Sequence, residues 1–223
     1  MSAGHPVRAV LFDLDGTLVD SAPDLAGAAN DLRAERGLPP LPYERLRPMV
    51  GAGARGMVGI AFGLKPGDEG YDDLRARFLE IYGGRLLSAT TVFDGVWPML
   101  HGLEAAGMAW GIVTNKAHHL AHAVTTGLGL HPRAQVLIGG DTTPYAKPHP
   151  EPLFEAARRL QRDPAHCLYV GDDLRDIQAG RAAGMRALTA LWGYHGEGEP
   201  PSAWGADHDL ADPPQLLHWL GLP

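Results

Sequence analysis

What the 223-residue chain lacks narrows its class before any motif is read. A single cysteine, Cys167, excludes an internal disulfide. It lies in the apolar stretch Cys167-Leu168-Tyr169-Val170, where a small buried residue is the plain reading and a nucleophile is not. No apolar run approaches the roughly 20 residues that span a bilayer, so no membrane partner is expected. Residues 1–7 carry no apolar signal-peptide core, which points to a cytoplasmic address. Positive charge is in deficit: 19 Lys+Arg against 26 Asp+Glu give a formal net charge of -7, which argues against nucleic acid or anionic lipid as a partner. Internal repeats and low-complexity segments are absent as well. What remains, 45% hydrophobic and 20% charged residues, is a globular balance in a chain long enough for a sizeable core.

The stretch that organises the chain is 7–21. Val10-Leu11-Phe12 is a near-continuous apolar run, the pattern of a strand buried on both faces of a parallel sheet. Asp13 and Asp15 follow at its carboxyl end, with alpha carbons roughly 6–7 Å apart if the backbone is extended. Gly16 then lets the chain bend without a side-chain penalty. Two acids at the tip of a buried strand are unfavourable unless a positive group sits between them. A divalent cation is the simplest such group, and Mg²⁺ prefers oxygen ligands.

From 20 to about 87 the periodicity is helical throughout and no strand is expected. Leu25, Ala28, Ala29 and Leu32 mark one helix, 43–49 a second, 57–62 a third after the glycine-rich turn 51–56, and 71–87 a fourth. The remainder alternates. Strands are expected over 108–113, 135–138, 166–170, 186–191 and 207–210, with helices between them and a last helix carrying Leu216, Leu217 and Leu220. Strand–helix repeats imply an α/β, doubly wound parallel sheet, with ligands bound beyond the carboxyl ends of the strands. Asp13, Thr114 and Asp172 each fall at such an end. The expected organisation is an α/β core, 1–19 and 89–223, interrupted by a small helical insertion, 20–88.

Asp13-Leu14-Asp15-Gly16-Thr17-Leu18-Val19-Asp20-Ser21 after an apolar strand resembles the first motif of the haloacid dehalogenase superfamily, most of whose members are Mg²⁺-dependent phosphatases. Thr114 in 112–116, Lys147 in 146–150 and Asp172 in 169–176 follow in the order and separation of the other three motifs. The resemblance covers essentially the whole chain and implies a helical cap over the active site. It also implies a small phosphate monoester as substrate. Asp13 would attack phosphorus, and Asp15 would serve as general acid and base. Lys147 would hold the phosphoryl oxygens and Asp13, with Thr114 as a further donor. The metal set would be Asp13, Asp172 and the backbone carbonyl of Asp15. Asp173 and Asp176 would support that set by holding waters or Lys147, but acids in a first helical turn are equally explained as helix caps.

Three further signals stay open. Asn115 fits either phosphate binding or helix capping. Arg55, after glycines at an expected helix start, fits a cap contact to a distal carboxylate, against a solvated arginine. Tyr194 and His195 fit the cleft rim or loop packing. His118, His119 and His122 are expected on a solvated helix face, since no acid or cysteine accompanies them.

Within the superfamily the nearest resemblance is to phosphoglycolate phosphatases. The stretch 170–177, the Gly193-Tyr194 loop and Trp204-Gly205-Ala206-Asp207 also look like the N-acetylmuramic acid 6-phosphate phosphatases. A phosphomutase shares both acids, and a receiver-type phospho-acceptor shares the strand-end aspartate but is shorter and lacks the insertion. Haloacid dehalogenases lack an acid at the position of Asp15. Monomer and homodimer are both open.

Overall fold

The computed structural model describes residues 6–223. The chain enters β1 (Ala9–Phe12), whose four residues are all buried, turns at 13–18, and runs through the short β2 (Val19–Asp20). Four helices follow: α1 (Ala22–Glu35), α2 (Tyr43–Leu46), α3 (Gly53–Phe62) and α4 (Tyr71–Gly83). The chain returns through β3 (Thr91–Val92) and α5 (Val96–Ala105) to β4 (Ala109–Val113), α6 (His118–Gly127) and β5 (Leu137–Ile138). It closes with α7 (Glu151–Arg159), β6 (Cys167–Gly171), α8 (Leu174–Ala182), β7 (Arg186–Ala190), β8 (His208–Leu210) and α9 (Gln215–Leu220).

Six strands form one all-parallel sheet in the order β5-β4-β1-β6-β7-β8. β1 lies between β4 and β6, where the strand order reverses direction. The carboxyl ends of these three strands therefore open onto one crevice, the place where such sheets bind ligands. Helices cover both faces. Val10, Phe12, Ile112, Val170 and Leu188 pack on one side with α5 and α6, and Ala9, Leu11, Val113 and Tyr169 on the other with α7 and α8. Helix α7 shows the sequence logic plainly, burying Leu153, Ala156 and Ala157 on one stripe. Its outer face is laced by Glu155 with Arg158 and Arg159.

Helices α1–α4 pack around their own apolar cluster, built from Leu25, Ala29, Leu32, Met57, Val58, Leu74, Phe78 and Tyr82. The core lends Leu120 and Tyr194 to this cluster. Three details depart from the sequence expectation. First, β2 and β3 pair antiparallel, Val19 with Val92 and Asp20 with Thr91, as a ribbon that joins the two passages of the chain into and out of the helical layer. Two residues are too few to show a period, so the helical reading from 20 onward passes over this strand. Second, the helix expected over 43–49 is an α-turn followed by a 3₁₀ stretch, Arg47–Ala52. Pro48 lacks the N–H that continued α-helix would use. Third, α4 ends at Gly83 rather than near 87.

Candidate active site

The loops after β1, β4, β5 and β6 bring Asp13, Asp15, Thr114, Lys147 and Asp172 together under α3 and α4. Gly16, with φ +90°, turns the chain so sharply that a Cβ on it would lie 2.1 Å from Asp172 Oδ2. A Cβ on Gly193 would lie 2.2 Å from the Asp172 Cβ. Two glycines thus make room for one acid. Asp172 is held by the Thr17 hydroxyl, which donates to Oδ1 at 2.8 Å, and by the Tyr194 N–H, which donates to Oδ2 at 2.9 Å. Its carboxylate, that of Asp13 and that of Asp176 present oxygens all within 4.8 Å of one another.

Lys147 is 5% exposed. Its ammonium lies 2.9 Å from Asp13 Oδ1 and 2.7 Å from Asp176 Oδ1, and donates to the Val113 carbonyl and the Tyr169 hydroxyl. Burial opposes the Lys147 charge, but Asp13 and Asp176 outweigh it and hold the ammonium firmly protonated. One cation does not balance three acids. Burial, then Asp13 and Asp176, push the Asp172 carboxyl well above the usual range. Burial pushes Asp176 up to about 7 against the pull of Lys147. Asp13 Oδ1 is buried, with the Lys147 ammonium its sole cationic neighbour among the described residues. An all-oxygen donor set of three acids around one lysine fits a hard divalent cation such as Mg²⁺.

Asp15 turns its side chain away from that cluster. Ser21 Oγ donates to Oδ1 at 2.6 Å, and Lys116 Nζ donates to Oδ1 at 2.9 Å and Oδ2 at 3.1 Å. Only its backbone is left for a metal. Thr114 is buried, with its hydroxyl accepting from the Lys116 N–H at 3.1 Å, and it lines the cleft. Asn115 is engaged by the Lys147 main chain: Nδ2 donates to the Lys147 carbonyl at 3.0 Å and Oδ1 accepts from its N–H at 2.9 Å. That ties two loops together and leaves one amide N–H for a ligand. Asp173 caps α8, accepting from the Arg175 N–H, and pairs with the Arg175 guanidinium at 2.7 Å. Asp176 closes the same capping box, its Oδ2 accepting the Asp173 N–H while Oδ1 faces Lys147. Both acids therefore cap the helix, while Asp173 also pairs with Arg175 at the cleft and Asp176 with Lys147.

The cleft has a volume of about 400 Å³. Its far wall is Val50–Arg55, Arg75, Phe78, Leu79 and Tyr82 of the helical layer. Arg55 lies in this wall, exposed and with no acidic partner among the described residues. Arg75 does the same from α4, where no motif or glycine turn marks it. Lys116 is a further site residue that sequence reasoning passes over; its side chain is 6% exposed and its charge is favoured by Asp15 despite burial. Tyr194 lines neither rim nor cleft. It is a buried latch whose hydroxyl accepts from the Ser21 and Ala22 N–H groups and donates to Asp20 Oδ1.

Similarity to known proteins agrees with this geometry. The haloacid dehalogenase-like hydrolase family model matches residues 7–184. A phosphoglycolate phosphatase of Xanthomonas campestris pv. campestris is 49% identical over 209 residues, 94% of each chain. An N-acetylmuramic acid 6-phosphate phosphatase of Pseudomonas aeruginosa is 41% identical over 214 residues, 96% of this chain and 95% of that one. The crystal structure of a predicted phosphoglycolate phosphatase from Haemophilus somnus superposes with a TM-score of 0.85 at 27% identity, covering 96% of this chain and 97% of that one. With its strand-end acids, buried lysine and helical layer in place, the chain belongs to the haloacid dehalogenase-like hydrolases and is a phosphatase of that family.

Proposed function

We propose that the protein is a Mg²⁺-dependent phosphomonoesterase that works through an aspartyl-phosphate, with the four-helix unit, 20–88, as its cap. The observation that carries this reading is the meeting of Asp13, Asp172 and Asp176 within 4.8 Å beside the buried Lys147. Asp13, Asp172 and the backbone carbonyl of Asp15 would hold Mg²⁺, which when bound offsets the repulsion between a carboxylate and a phosphate dianion. Asp13 attacks phosphorus, and the ester oxygen leaves with a proton from Asp15. Asp15 then takes a proton from the water that opens the acyl phosphate. Lys147 fixes Asp13 in its attacking position and donates to the phosphoryl oxygens, together with Thr114. Asp176 sets the place of Lys147, and Asp173 braces the loop through Arg175.

The substrate is read as a phosphorylated small acid of the phosphoglycolate type. Arg55 and Arg75 are the cleft arginines without an acidic partner among the described residues, and a guanidinium pairs well with a carboxylate. One observation favours the bulkier amino-sugar acid, N-acetylmuramic acid 6-phosphate: a cleft of about 400 Å³ with an apolar wall of Leu25, Val50, Phe78, Leu79 and Leu120.

Phosphate release from 2-phosphoglycolate, N-acetylmuramic acid 6-phosphate and a neutral-tailed monoester, with Mg²⁺ or EDTA, tests the whole reading. Turnover is expected only with Mg²⁺, and the preferred substrate is expected to carry the second anion. Asp13→Asn is expected to abolish release while keeping the fold. Full turnover in EDTA, or a near-normal rate in that variant, would remove the mechanism.

A further inference from the structure

Tyr82 belongs to the helical layer, on the last turn of α4, yet its hydroxyl ends in the catalytic floor. It accepts from Lys116 Nζ at 2.6 Å, and the same ammonium donates to both oxygens of Asp15. Tyr82 is 1% exposed and the Lys116 side chain 6%. Beyond the contacts where the chain enters and leaves the helical layer, two other polar contacts among the described residues join that layer to the core around the cleft. Arg175 donates to the Gly51 carbonyl at 2.5 Å, and Arg47 donates to the Gly193 carbonyl at 3.4 Å while stacking over the Tyr194 ring. Neither of these touches a residue that holds Asp15. The Tyr82 contact does, and it links three elements: α4, the loop after β4 and the turn after β1.

We infer that Tyr82 is a positioning residue, which by fixing Lys116 makes the placement of Asp15 depend on the helical layer being seated over the core. A lysine ammonium sits on a flexible four-carbon stem and holds a direction only while its partners do. With the Tyr82 hydroxyl present, Lys116 is pinned from the cap side and Asp15 from the core side. Ser21 completes the grip on Asp15 from the root of α1. Without that hydroxyl, Lys116 keeps one charged partner and follows it or the cleft solvent, and Asp15 is left with Ser21 as its one fixed side-chain donor among the described residues. An unseated helical layer would have the same effect, so a half-closed cleft would hold the acid out of place.

The inference rests on the reading of Asp15 as the acid that protonates the leaving group, and the test separates the two. Comparison of kcat/KM for an alkyl phosphate, whichever of the two acidic substrates is turned over, with p-nitrophenyl phosphate reports the step in which the leaving group departs. An alkoxide needs the proton from Asp15, whereas p-nitrophenolate departs without it. Asp15→Asn is therefore expected to depress the alkyl substrate far more than the activated one. Tyr82→Phe keeps the ring that stacks on Phe78, so the fold is retained. It is expected to lower kcat/KM for the alkyl phosphate about fivefold, the worth of one ordinary hydrogen bond, and to leave p-nitrophenyl phosphate nearly unchanged. In a Lys116→Met background the same change is expected to add nothing, because the hydroxyl acts only through the lysine. An equal fall for both substrates, no fall for either, or full additivity with Lys116→Met overturns the positioning role. An Asp15→Asn variant that slows both substrates alike overturns the acid assignment and this inference with it.

Discussion

At the scale of single residues, the site depends on atoms that are missing as much as on those present. Gly16 has φ +90°, and a methyl group there would meet Asp172 at 2.1 Å. Gly16→Ala is expected to destabilise the fold by about 2 kcal/mol or more through backbone strain and collision, and to displace Asp172 enough to remove most activity. Chemical denaturation and phosphate release check both; wild-type values would show that the turn is not tight. Cys167 gives the opposite case, a residue without chemistry. Burial pushes its thiol up to about 11, so it is expected to resist a thiol reagent at pH 8 until the protein is unfolded, with one equivalent then reacting. Asp13, Asp15, Lys147 and Asp172 are all legible in the sequence, since each stands in a short run whose neighbours mark a strand end or a proline turn. Lys116 and the latch role of Tyr194 are not. The partner of Lys116 is 101 residues away and that of the Tyr194 hydroxyl 174, and no local pattern announces such a contact.

At the scale of elements, the join between helical layer and core is the point of interest. Asp24 on the first turn of α1 accepts from the Ala89 and Thr90 N–H groups at 2.9 and 2.8 Å, closing the exit of the layer against its entrance. Tyr194 does the same from the core by accepting the first N–H groups of α1. Tyr194→Phe leaves those groups without this acceptor and is expected to cost about 1–3 kcal/mol in urea unfolding, while its main-chain bond to Asp172 survives. An unchanged midpoint would mean that the latch carries no load. The cap wall has its own test: Arg75→Ala is expected to raise KM about tenfold for the acidic substrate with little change in kcat, and to leave a neutral monoester unaffected. A fall in kcat alone would place Arg75 outside substrate binding. The long helices and buried strands are readable because apolar residues recur with a clear period over ten or so positions. The two-residue strands β2 and β3, and the 3₁₀ segment at Pro48, are too short to carry one.

At the scale of the whole molecule, charge is distributed against the net balance. The chain carries -7 overall and has only three lysines, yet two of them, Lys116 and Lys147, are buried in the one cleft that handles an anion. Even so, Asp13, Asp172 and Asp176 crowd together with more acidic groups than Lys147 can pair, an arrangement that a bound cation would stabilise. On the proposed reading Mg²⁺ would bind only the assembled site, because Asp13 and Asp172 come from strands far apart in the chain, so its binding would add directly to stability. At a hundred times its dissociation constant it is worth about 2.7 kcal/mol. For a chain of this length that is a rise of roughly 5–10 °C in melting temperature. Asp172→Asn would remove a ligand and a charge together on that reading. In EDTA that variant is expected to melt no lower than the wild type, since the buried carboxylate was unfavourable there, and to gain nothing when Mg²⁺ is added. A wild type indifferent to Mg²⁺, or an Asp172→Asn variant that still responds in full, would show that the ion sits elsewhere, and the electrostatic account of the cleft would fall with it.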